Sequence, residues 1–187
     1  MTPADRTVEI AVEVAALLAL HGARSAVIGA VALAVRGYPR ATVDLDLATV
    51  TDARAVLPKV QAELTRRGYE VEFSEPDADD PLGGVLTVRS EDADPVQVVN
   101  YLNPWRGCAE VGKEAVDTAE PNALQSLAVV DVPHLVALKL YAGGRKSELD
   151  VLELLERHPS ALESVRRVCE RLHLGHELAA VVDRAPT

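Results

Sequence analysis

Residues 40–47 read Arg-Ala-Thr-Val-Asp-Leu-Asp-Leu and alternate polar and apolar side chains without a break. That alternation has the period of a β-strand, in which successive side chains point to opposite faces. Arg40, Thr42, Asp44 and Asp46 then share one face, and Ala41, Val43, Leu45 and Leu47 the other. The register is fixed, because a slip of one residue would turn the apolar row toward water. Asp is a poor strand residue. Two carboxylates on neighbouring same-side pleats, roughly 6–7 Å apart, also repel each other, more so when desolvated. A divalent cation removes the conflict. Mg²⁺ prefers oxygen ligands and is held by one or two carboxylates together with substrate phosphates.

The segment before this strand supplies what a phosphate needs. Ser25–Ile28 is a short apolar strand, and Gly29 opens a helix of small residues that runs through Val35 and closes at Gly37. A helix N-terminus presents free N–H groups and partial positive charge, and Gly lets a ligand approach the backbone closely. Gly29 and Ala30 are therefore candidates to cradle phosphates, and Arg40 and Thr42 to contact them from the aspartates' face. The set matches a nucleoside triphosphate (NTP) with its metal, Mg²⁺ or Mn²⁺, on Asp44 and Asp46.

The rest of the chain bounds this reading. With 187 residues it can bury a sizeable core. Lys and Arg total 19 against 29 Asp and Glu, a formal charge of −10. That argues against a wide nucleic-acid-coating surface and leaves room for a small basic site. Cys108 and Cys169 make no disulfide framework. Neither a signal peptide nor a membrane-length apolar run is visible, so a cytoplasmic protein is expected. Helical periodicity marks residues 4–21, and Asp52 or Thr51 caps a second helix in which Pro58 predicts a kink or a late start. Strands are predicted at 69–74, 85–89 and 96–102, separated by acidic turns. Residues 103–132 show no clear period. Helices follow from Pro133, from a Ser147 cap with Asp150 three residues on in capping-box spacing, from Pro159 and near 176–183. The predicted class is α+β: a mixed sheet flanked by helices over residues 1–104, with 105–187 a connecting segment and helices packed on it.

GAVALAVRGYPRATVDLDL resembles the first motif of the DNA polymerase β-like nucleotidyltransferase superfamily, where a Gly-Gly or Gly-Ser pair precedes a short helix and an Asp-x-Asp strand. Its Arg-x-Thr-x-Asp-hydrophobic-Asp form resembles the small bacterial AbiEii-type branch, which includes toxins of toxin–antitoxin systems. LVALKLYAGGRKSELDVLELL resembles that branch's Lys-Leu-x-Ala helix with following basic residues and an Asp-containing helix, at Lys139, Arg145, Lys146 and Asp150. The likeness covers roughly residues 24–102 and 133–157. It implies transfer of a nucleoside monophosphate (NMP) from an NTP, with Asp44 and Asp46 on the metals and Gly29, Ala30, Lys139, Arg145 and Asp150 about the phosphates. It also implies a macromolecular acceptor such as tRNA and, for a toxin, an antitoxin partner.

The chain departs from that pattern mildly at Ala30, in place of Gly or Ser, and at Ser147, where many relatives carry an acidic residue, and chiefly at one further position. A third carboxylate is expected on a later strand, and in DPVQVVNYL the apolar pattern puts Gln97 there. Asp94, Glu70 and Glu72 are the substitutes within reach in sequence. A second function class therefore stands beside the enzyme: a degenerate fold member that binds metal–nucleotide or a protein partner without catalysis. Arg36 is the second basic residue near the expected phosphates, and Arg40 is preferred because it shares the aspartates' face. Tyr101, Trp105 and Arg106 are candidates to stack on a base, with packing the competing role for a single Trp. Cys169, His173 and His176 share a helical face, but Gly175 interrupts it and argues against zinc.

Overall fold

The computed structural model describes residues 2–121, 124 and 126–184. A seven-stranded mixed sheet runs in the order β3-β4-β5-β2-β1-β9-β8. Its strands are β1 Ser25–Ile28, β2 Leu45–Thr49, β3 Glu70–Ser74, β4 Val85–Ser90, β5 Ala93–Asn100, β8 Glu120–Pro121 and β9 Ala128–Val129. A separate two-stranded ribbon pairs β6 Leu102–Asn103 with β7 Gly107–Cys108. The helices are α1 Pro3–Leu20, α2 Gly29–Val35, α3 Ala53–Arg66, α4 Glu110–Thr118, α5 Val132–Ala142, α6 Arg145–Arg157, α7 Leu162–Arg171 and α8 Gly175–Asp183. This is the expected α+β class, a mixed sheet with helices around it. Two of the seven strands, β8 and β9, come from beyond residue 104.

Local chemistry accounts for the element ends. Thr2 and Asp5 form a reciprocal capping box ahead of α1, and the Asp52 and Asp131 side chains accept from the third backbone N–H of α3 and α5. Pro58 sits inside α3 without breaking it. Its missing N–H would have met the Arg54 carbonyl, and both residues face solvent, where water can take that carbonyl. Ser147 is not a cap: α6 begins two residues earlier, after Gly144.

α1 and α3 cover the sheet face that carries Leu45 and Leu47. α4 covers the opposite face. α5 is apolar nearly all round and is buried among α2, α4, α6 and α7, as such a helix must be. Lys139 is its only Lys, Arg, Asp or Glu.

The strand predicted over residues 40–49 forms only from Leu45. The parallel β2–β5 ladder starts at Leu45 opposite Val96. One step upstream lies Pro95, which has no N–H to extend the ladder. Val43, apolar in the pattern, is 76% exposed, so nothing fixes its face. Arg40 and Thr42 therefore belong to a loop that leads into β2.

Candidate metal–nucleotide site

The sheet places two carboxylates at the start of β2. Asp44 precedes its first residue, and Asp46 is its second, opposite Ile28 on β1. Thr42 Oγ1 donates to Asp44 Oδ1 at 2.6 Å, which orients that carboxylate from within the loop. Asp46 turns toward the N-terminus of α2. A Cβ built on Gly29 would lie 2.0 Å from Asp46 Oδ2, and Gly29 has φ of +64°. Gly is thus required here twice, for its backbone conformation and for the space the carboxylate fills.

Three further charges gather beside the aspartates. Asp150 on α6 has a side chain only 2% exposed. Lys139 Nζ lies 2.7 Å from its Oδ2, and Arg40 Nε 3.2 Å from its Oδ1. Arg40 Nε and Asp150 Oδ2 are buried without a well-aligned hydrogen bond, so charge rather than a fixed donor–acceptor fit holds the cluster. Burial raises the Asp46 acid to about 6, and the Asp44 charge adds to the shift, while Lys139 and Arg40 oppose it. Both cations therefore reach Asp46 electrostatically as well as Asp150.

The residues fit a divalent cation. Two oxygen-donor carboxylates sit within electrostatic range of each other, and the ionised form of the inner one is destabilised by burial and by its neighbour. A cation bound there would supply the missing charge. Among the described residues no group of three or more His, Cys, Asp or Glu converges on such a point.

The sequence candidates fall into distinct places. Gly29, Ala30, Thr42, Asp44 and Asp46 meet where β1, α2 and β2 join, and Arg40, Lys139 and Asp150 form the adjoining cluster. Arg145 and Lys146 are exposed at the start of α6. Asp150 lies beneath its two cations, so a part in phosphate binding is indirect. Arg36 donates to the Val129 and Val130 carbonyls and so anchors the β9 end of the sheet.

Gln97 stands directly opposite Asp46 in the parallel β2–β5 register. The row continues through Thr87 on β4 to Glu72 on β3. Glu72 is three strands away, about 14 Å at ordinary strand spacing, and lies 3.2 Å from Arg89. Glu70 is on the same edge strand. Asp94 is exposed, three residues before Gln97, and its N–H donates to Thr7 Oγ1. None of the three substitutes for a carboxylate at the Gln97 position.

Other expectations change. Tyr101 is buried at 7% exposure and is no stacking platform. Arg106 is spent on the Ala78 and Asp79 carbonyls. Trp105 is 52% exposed with the Arg54 guanidinium 4.9 Å from its ring centre. It lies in the turn beyond the β2 and β5 C-termini, at the opposite end of the sheet from Asp46. His173 falls in a turn at φ +59° and Cys169 is buried, so Cys169, His173 and His176 do not lie along one continuous helix. Sequence reasoning missed α4, which faces the site side of the sheet. Its signal was Val111, Ala115 and Val116, spaced for one helical face.

No protein-family model matches the chain, and no curated protein matches it in sequence. Solved structures do match in fold. The crystal structure of ANT(2″)-Ia in complex with adenylyl-2″-tobramycin has a TM-score of 0.52 at 14% identity, over 89% of this chain and 96% of that one. The solution structure of ANT(2″)-Ia has 0.50 at 17%, over 95% and 91%. An antigenic nucleotidyltransferase-like protein from Paracoccidioides brasiliensis has 0.50 at 14%, over 97% and 94%. The chain thus has the fold of nucleotidyltransferase structures.

Proposed function

We propose that the protein is a metal-dependent nucleotidyltransferase that moves an NMP from an NTP to a hydroxyl acceptor. The observation that carries this is Asp46: a carboxylate against Gly29, beside Asp44 and facing Lys139 and Arg40. Mg²⁺ or Mn²⁺ on Asp44 and Asp46, when bound, would neutralise the triphosphate and orient its α-phosphorus. Thr42 holds Asp44 in place. Asp150 holds Lys139 and Arg40 at the edge of the site, where a phosphate can draw on either cation. Gly29 and Ala30 offer backbone N–H groups beside Asp46. In the transfer, the acceptor oxygen bonds to the α-phosphorus as the bond to the bridging oxygen breaks. Pyrophosphate leaves with that electron pair, and the acceptor's proton is released to water.

The acceptor we infer is a macromolecule, with tRNA or another RNA reached through a small footprint, and the biological role that of a toxin with an antitoxin partner. The motif likeness to the AbiEii-type branch supports both, and the net charge of −10 favours a small footprint over an extended one. Purified protein incubated with each labelled NTP, Mg²⁺ and total RNA tests the reading. Label should enter RNA, and Asp44→Ala should abolish it.

A second reading rests on Gln97. Opposite Asp46, it can lend a carbonyl oxygen but cannot act as a base. Nucleotide binding without transfer in the same assay would favour a degenerate site.

A further inference from the structure

The end of the sheet opposite Asp46 presents an aromatic side chain on a rigid turn. Asn103 is fully buried there. Its Oδ1 accepts the Trp105 and Arg106 backbone N–H groups at 2.8 and 3.3 Å. Its Nδ2 lies 2.8, 2.8 and 2.9 Å from the Asp77, Asp80 and Leu82 carbonyls. Asn100, also fully buried, ties the Thr51, Gly83 and Leu102 carbonyls together in the same way. Two buried amides thus set the backbone of three loops, and with it the place of Trp105. A side chain carried on so fixed a backbone costs less to order on binding. Its ring, one of the largest apolar surfaces a residue can carry, is nevertheless half in water.

Beside the ring is a hollow of about 180 Å³, lined by Asp52, Ala53, Arg54, Leu102 and Pro104. Pro104 precedes Trp105 in the chain, and Arg54 belongs to both features, because its guanidinium also lies over the ring. The hollow is below the roughly 300–1,000 Å³ of a small-molecule site and suits one side chain. Carboxylates surround it. Asp52 is in its wall, and Glu75 is 4.0 Å from Arg54. Asp77, Asp79 and Asp80 belong to the loop bonded to Asn103 and Arg106. All five are exposed. The two cations among them are occupied, Arg106 on the Ala78 and Asp79 carbonyls and Arg54 between Glu75 and the ring. The ring thus already attracts one guanidinium, and the surplus negative charge draws further cations and repels phosphate. That argues against a nucleic-acid strand or an anionic membrane. A second copy of this chain would bring the same acidic face and its own charge of −10.

We propose that this face is a docking surface for an arginine- or lysine-rich segment of a partner protein. The segment lays its cations over Trp105 and along the 77–80 loop, and places one apolar side chain in the hollow. Trp105 is the anchor of the kind that dominates protein interfaces, and the carboxylates steer the approach. The face is at the far end of the sheet from Asp44 and Asp46, so a bound partner leaves the metal–nucleotide site open. The proposal does not depend on the transfer reading.

A random-peptide library displayed on phage tests it. The full-length chain is the bait, and each enriched peptide is then made with a fluorescein label and titrated by anisotropy. Enriched peptides should be rich in Arg and Lys around an apolar residue, and their affinity should fall as salt rises. Trp105→Ala should weaken binding about tenfold, and Asp79→Lys should weaken it at least as much. Both side chains face solvent, so both variants should keep the wild-type melting temperature. Should one melt lower, the other decides. Full affinity in a variant that keeps its melting temperature overturns the proposal, and so does enrichment of neutral or acidic peptides or of none. Two controls can also overturn it by giving the face another occupant. One is a dimer in light scattering that Trp105→Ala dissolves, which assigns the face to a second copy. The other is binding of a fluorescein-labelled RNA oligonucleotide that Trp105→Ala abolishes.

Discussion

Gln97 and Asp46 are direct partners across the parallel β2–β5 ladder, on one face of the sheet. Replacing Gln97 by Asp puts a third carboxylate next to the two already present. Like charges directly opposite in a sheet cost up to about 1 kcal/mol. Metal-free Gln97→Asp should therefore melt lower than wild type, and Mn²⁺ should raise its melting temperature by more than it raises that of wild type. Differential scanning fluorimetry with and without Mn²⁺ reads both. Equal shifts would show that residue 97 does not face the metal.

The same position marks how far the sequence could be read. The β1–α2–β2 unit was legible because its cues are local: an apolar run, a glycine, small residues, then alternation. Asp46 beside Gly29 follows from that order. The apolar phase of one strand put Gln97 where a third carboxylate was expected, and the ladder sets that position opposite Asp46. What was not legible depended on partners distant in sequence. The alternation of residues 40–44 pointed to strand, yet Pro95 on another strand ends the ladder. Asp150 matched a helix cap by spacing, yet α6 starts earlier and the side chain is needed beneath Lys139 and Arg40. Tyr101 has the composition of a stacking residue, and only the packing of α4 shows that it is buried.

Asp150 carries a buried charge between two cations. Removing it leaves Lys139 and Arg40 without their counter-charge in a largely dry cluster, which costs about 3–5 kcal/mol. Asp150→Ala should unfold at markedly lower urea than wild type. Lys139→Met, which keeps the aliphatic length, should destabilise less and weaken nucleotide affinity more. Urea melts and calorimetric titration with an ATP analogue separate the two effects.

Gly29→Ala asks a non-glycine residue to hold φ of +64° and pushes its Cβ into the Asp46 carboxylate. The backbone strain alone is of order 1–3 kcal/mol. The variant should lose stability and also lose metal binding, because the carboxylate must move. Gly37→Ala carries the same kind of backbone conformation but meets nothing within 4 Å. It should lose stability while keeping the metal affinity, measured by Mn²⁺ electron paramagnetic resonance.

The Asp46 acid, raised by burial and by Asp44 to about 6, gives a pH signature in metal-free protein. A group whose acid is raised on folding stabilises the fold below its unfolded value, and that contribution is lost as pH rises through the folded value. From this group alone, stability should fall between pH 4 and 7. Asp46→Asn should flatten that fall and raise the melting temperature at pH 8 without metal. Asp44→Asn should lower the Asp46 titration midpoint by removing the like charge, read by the carboxyl carbon shift in nuclear magnetic resonance.

The central claim is tested most directly by the fate of the two ends of the substrate. Each NTP is supplied once with the label on its α-phosphate and once on its γ-phosphate, with Mg²⁺ and total RNA. The account predicts that α-label becomes fixed to an acceptor, that γ-label is released as pyrophosphate, and that Asp44→Ala and Asp46→Ala lose both. Transfer of γ-label to an acceptor, or α-label transfer that survives both substitutions, would contradict it.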